Sequence, residues 1–138
     1  MTNQADQEVG RLQPILRYVY GIVPIVAGAD KFTNLLVHWS DYLPAGIAAI
    51  LPFSPETFMM IVGVIEIIAG ILVLARTLVG AYVVSAWLVL IALTLLFSGR
   101  FLDVAVRDLV MAMGAFVLAR LTLVTEARLG RNPAAATR

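Results

Sequence analysis

Over positions 77–99 the chain carries no charged side chain. A helix rises about 1.5 Å per residue, so about 20 consecutive apolar residues cross the roughly 30 Å hydrocarbon core of a bilayer. This run is long enough to do so, and the rest of the chain has a similar character. Of 138 residues, 61% are hydrophobic and 14% are charged, against about 45 to 50% and about 25% in soluble domains. Too few polar side chains remain to cover a water-soluble globule, and intrinsic disorder demands the opposite composition. The chain reads as a membrane protein whose main environment is the lipid bilayer. Ten basic and nine acidic residues leave a net charge of +1, too balanced for a nucleic-acid surface, so no nucleic-acid partner is expected. With no cysteine, disulfides, thiolate metal sites and thiol catalysis are excluded from these residues.

Four stretches reach spanning length, at about 14–33, 57–75, 77–99 and 104–124 of a single membrane domain covering 1–138, with polar tails at 1–10 and 125–138. The first carries Arg17 near one end and Asp30 and Lys31 near the other; the second is apolar except for Glu66; the fourth opens with Arg107 and Asp108. Between the first two, Phe32, Leu35, Leu36, Trp39 and Leu43 recur at helical spacing with Asn34, His38 and Asp41 opposite. That pattern predicts an amphipathic surface helix over 31–43. Pro44, Pro52 and Pro55 then divide 42–55 into pieces too short to span, which predicts a shallow re-entrant or surface loop. The expected fold is an all-α membrane protein, a four-transmembrane-helix bundle with an amphipathic surface helix between helices 1 and 2.

Arg11, Arg17, the apolar positions 19–26 and Ala27-Gly28-Ala29 imitate a secretory signal, but Asp6 and Glu8 are atypical of its positive start, so the first span is expected to be retained. With four crossings, Arg11, Arg17, Arg76, Arg120, Arg128, Arg131 and Arg138 fall on one side and Lys31, Arg100 and Arg107 on the other. The positive-inside rule then puts both termini in the cytoplasm, as a multi-pass protein of the cell's inner membrane.

Lipid tails are as apolar as leucine, so membrane helices associate where small residues let backbones approach. Gly21 and Gly28 in the first span, and Gly63 and Gly70 in the second, stand seven apart on one face each. Ala81, Ser85, Leu88, Ala92, Leu95 and Gly99 line the third span, and Ala105, Asp108, Ala112, Ala115 and Ala119 the fourth. These lines are the expected packing seams.

Glu66 lies near the middle of its span, where a charge costs roughly 2.5 to 3.5 kcal/mol on insertion scales. It shares its face with Gly63 and Gly70, so it belongs to the seam, with Ser85 and Trp87 at a compatible depth for hydrogen bonding. No cation is expected within reach, since Lys31 stands about 12 Å nearer the outer face by helix rise. Glu66 is therefore expected to be neutral, either locking the helix packing or handling protons or a ligand. The second constellation is the pair of adjacent opposite charges at the outer end, Asp30 with Lys31 and Arg107 with Asp108. Cross-pairing of Lys31 with Asp108, or Asp30 with Arg107, would tie the first helix to the fourth as a structural cluster; the alternative is an anion or quinone-headgroup site. His38 is the only histidine, so haem or zinc ligation within the chain is not expected. The glycines form no phosphate loop, and the methionines read as filler.

Gly28-Ala29-Asp30-Lys31-Phe32, the run from Gly63 through Glu66 to Leu72, and Arg107-Asp108-Leu109 together resemble the DoxX family of small four-helix membrane proteins, over about 17–121. The resemblance marks Lys31, Glu66, Gly70, Arg107 and Asp108 as the family's positions here. It implies a small integral membrane subunit of a redox complex, such as a thiosulfate:quinone oxidoreductase. Mycobacterial members are associated with a superoxide dismutase and a sulfurtransferase. Related redox bundles such as the vitamin K epoxide reductases rely on cysteine pairs, which this chain lacks. An accessory subunit is therefore expected rather than an autonomous enzyme, with no intrinsic cofactor, quinone as the small molecule contacted, and partner subunits or further copies of itself as company. A small proton-coupled exporter is the rival reading, although exporters of that kind keep their single membrane carboxylate in the first helix. A structural or assembly protein without a ligand is the third.

Overall fold

The computed structural model describes residues 2–131. They form α1 (Thr2–Thr33), a short 3-10 turn (Trp39–Tyr42), α2 (Ala45–Ile50), α3 (Pro55–Ala75), α4 (Thr77–Ser98) and α5 (Leu102–Arg131). No strand occurs among the described residues. The helices α1, α3 and α4 are long and apolar enough to cross a membrane. Their outward faces are apolar as well: Val26, Ile68 and Phe97 are 53%, 60% and 89% exposed, an arrangement stable against lipid tails and unstable against water.

The four long helices run antiparallel to their chain neighbours. The most extensive contacts pair α1 with α3 and α4 with α5, and contacts of α3 with α4 and of α1 with α5 complete the bundle. The glycine seams meet as expected. A Cβ added to Gly63 would stand 2.6 Å from the carbonyl oxygen of Gly28, and one on Gly70 would strike the carbonyl of Gly21. Between α4 and α5 the buried residues Ala81, Ala92, Leu95, Ala105, Ala112, Ala115 and Ala119 reproduce most of the predicted small-residue lines. The hairpin from α3 to α4 turns on Arg76 alone, and Gly80 lets α4 lie directly on the Val73 backbone. At the opposite end Gly99, at φ +68°, closes α4 in the left-handed conformation that suits glycine.

One expectation is corrected. The stretch 31–43 is not an amphipathic helix: α1 ends at Thr33, Asn34 takes φ +51°, and only the turn at Trp39–Tyr42 follows. The carboxylate of Asp30 accepts hydrogen bonds from Leu35 N (3.0 Å) and Leu36 N (3.1 Å), giving those amides a partner other than a helical carbonyl. Within 42–55 the one helix is α2, six residues capped by Pro44 and too short to span. The described parts of the polar tails are helical. α1 is helical from Thr2 and α5 through Arg131, and Arg128 bridges to Asp6 at 2.6 Å. The final part of the predicted polar tail, 132–138 with Arg138, lies outside the described residues.

Candidate functional site

The glycine register sets the site. With Gly28 against Gly63 and Gly21 against Gly70, Glu66 lies level with Ile25, about 9 Å of helix rise from Lys31. Side chains in a helix lean toward its N-terminus. In an antiparallel pair Lys31 on α1 and Glu66 on α3 therefore lean toward each other. Lys31 Nζ donates to Glu66 Oε2 at 2.6 Å, with the two side chains only 4% and 13% exposed. The expectation of a Glu66 without a cationic partner is overturned: it counted the rise between the residues and left out the convergence of their side chains. Ser85 is not a partner of Glu66 either, because its hydroxyl donates to Ala112 O at 2.8 Å. Trp87 Nε1 is buried without a hydrogen-bond partner.

Trp39 covers this pair. The turn that follows α1 brings the indole back over the helix end, so that Lys31 Nζ sits 3.7 Å from the ring centroid while the indole N–H donates to Asp30 Oδ2 at 2.7 Å. An ammonium over an aromatic face gains electrostatically when it is withdrawn from water. Tyr42 continues the aromatic row, with ring centroids 6.1 Å from Trp39 and 4.5 Å from Phe101. The row links the α1–α3 connection to the turn between α4 and α5.

Asp30 is consumed by structure. Its carboxylate accepts from Leu35, Leu36, Trp39 and Thr33 and makes no ion pair with Arg107. Arg107 stays outside, 75% exposed, 3.9 Å from Asp103. Asp108 is buried on α5 at 7% exposure, with Glu66 and Lys31 as its charged neighbours. Lys31 reaches Glu66 and not Asp108, so the predicted Lys31–Asp108 bridge is not formed, and Asp108 is buried with no ion pair of its own among the described residues. A buried carboxyl without a counter-ion is costly.

Of the predicted site residues, the fold brings together Asp30, Lys31, Glu66 and Asp108, and leaves Arg107 at the surface. Gly28 and Gly63 flank the pair, and the Cβ of Lys31 lies 3.1 Å from where Gly63 would carry its own. Sequence reasoning placed Trp39 at the membrane interface and missed its part in the site, because the reversal at Asn34 leaves no periodic signal. No family model, curated protein or solved structure matches this chain.

Proposed function

We propose that this chain is a DoxX-like integral membrane subunit of a membrane redox complex, with four crossings and both termini in the cytoplasm. In this reading the Lys31–Glu66–Asp108 centre contacts a quinone headgroup. The observation that carries the reading is the buried ion pair of Lys31 with Glu66, together with an Asp108 on α5 that is also buried and makes no ion pair among the described residues. Ionisable groups inside a membrane bundle are costly and mark pathways for protons, ions or substrates. A quinone carbonyl takes up a proton when it is reduced, and a lysine ammonium next to carboxyls supplies both a donor for that oxygen and an acceptor for the returning proton. Four crossings are supported by α5, a helix of 30 residues packed extensively against α4.

Affinity purification from membranes in mild detergent, followed by solvent extraction and absorbance scanning, tests the reading. The expected result is a retained quinone and co-purified redox subunits. Glu66→Gln and Asp108→Asn should remain folded and lose quinone-dependent turnover. Recovery of the chain alone, with no quinone, overturns it.

A second reading, a structural lock for the helix packing, has its own support: neither the cavity lined by His38, Tyr42 and Phe101 nor the one lined by Gln13, Arg17 and Arg76 includes Lys31, Glu66 or Asp108. In that case the same substitutions alter thermal stability and leave any recovered turnover intact.

A further inference from the structure

The opposite end of the bundle holds a cavity of about 490 Å³ between α1, α5 and the α3–α4 turn, lined by Gln13, Arg17, Arg76, Val79, Thr125 and Leu129 among others. Its level is set by α4, which begins at Thr77 and whose length of about 33 Å matches a hydrocarbon core. The turn at Arg76 therefore stands at the depth of the lipid headgroups.

Two guanidinium groups face this cavity, and neither has a carboxylate within salt-bridge distance among the described residues. Arg17 spends one N–H on the carbonyl of Leu74, and its Nε is buried without a partner. Arg76 is exposed and its side chain makes no hydrogen bond among the described residues. Glu126 is the one carboxylate lining the space, so the charge facing it is positive. The nearby threonine hydroxyls point their hydrogens elsewhere: Thr77, Thr122 and Thr125 donate to Val73, Leu118 and Leu121 carbonyls. Donors that remain for an occupant are the arginine N–H groups and the second N–H of the Gln13 amide, whose first goes to Thr122 Oγ1. The rim is apolar, with Val79 and Leu129 51% and 43% exposed.

We propose that this cavity binds the phosphate of an anionic membrane lipid, with Arg17 and Arg76 on the phosphate and the acyl chains along Val79 and Leu129. A planar guanidinium donates two parallel hydrogen bonds to phosphate oxygens, and basic pockets between membrane helices at headgroup depth suit such lipids. An unpaired arginine at the hydrocarbon boundary is costly, and a lipid phosphate supplies its counter-ion. The apolar rim separates this occupant from a soluble anion, which gains nothing there. The proposal is independent of the cluster at the other end.

The full chain in nanodiscs or detergent is compared with phosphatidylglycerol, with phosphatidylcholine and with inorganic phosphate, by thermal shift and by lipid retention in native mass spectrometry. Phosphatidylglycerol should raise the melting temperature and remain bound, while phosphatidylcholine and millimolar phosphate do neither. Arg76→Gln, at an exposed position without protein hydrogen bonds, should keep the fold and bind phosphatidylglycerol about fivefold to tenfold more weakly. Arg17→Gln should weaken it further; if that variant unfolds, Arg76→Gln alone decides. Equal retention of phosphatidylcholine, unchanged affinity in Arg76→Gln, or saturation by inorganic phosphate each overturns the assignment to an anionic lipid.

Discussion

Lys31 and Glu66 meet at 2.6 Å across the α1–α3 seam, beside the glycine pair that lets the two backbones touch. The close approach and the ion pair depend on each other. Bulkier residues at the seam would hold the helices apart, and without the pair each charge would face an apolar interior alone.

That dependence predicts the outcome of a double-mutant cycle. Lys31→Met and Glu66→Leu should each destabilise the detergent-solubilised protein by about 3–5 kcal/mol, because each leaves an uncompensated buried charge. The double variant should recover much of the loss. Additive losses in melting or denaturant titrations would show that the pair is not formed.

The seam itself is tested at Gly63. Gly63→Ala drives a methyl group into the Gly28 carbonyl and toward the Lys31 stem, and overpacking of this kind costs about 1–3 kcal/mol. Gly46→Ala, where nothing lies within 4 Å, should leave the melting temperature nearly unchanged. Equal behaviour of the two variants would contradict the close approach.

Asp30 should prove structural. Asp30→Ala removes the acceptor for Leu35, Leu36 and the Trp39 indole, and a hydrogen bond to a charged group contributes about 1.5–3 kcal/mol. In a Trp87→Phe background, the remaining Trp39 emission should shift to the red as the indole leaves Lys31. Unchanged emission would mean that the turn holds without Asp30.

Topology can be read by labelling, since the chain has no cysteine to give background. Single cysteines at Ser54 and Gly99 should react with an impermeant thiol reagent from outside intact cells, and those at Asn3 and Thr137 only after lysis. Thr137 reacting from outside together with Gly99 would reduce the crossings to three.

Much of this was legible along the chain. The helix positions follow from charge-free length, and the seams follow from glycine and alanine spacing, because both depend on a helical period that sequence carries directly. The stretch 31–43 was misread for the same reason. Its period is helical, but Asp30 reaches five and six residues ahead to Leu35 and Leu36, and a side chain bonding to the backbone leaves no periodic trace.

The sequence by itself determined that this chain belongs in a bilayer, where its apolar stretches of spanning length lie, and that Glu66 needed an explanation. Burial of apolar surface and backbone hydrogen bonding are properties of a segment, so they can be read from one. Only the tertiary structure decided that Lys31 is the partner of Glu66, that Asp108 stands beside the pair, that Arg107 remains outside, and that Trp39 closes over the lysine. Those outcomes rest on the register of antiparallel helices and the lean of their side chains, which bring together charges that are 35 residues apart in the chain.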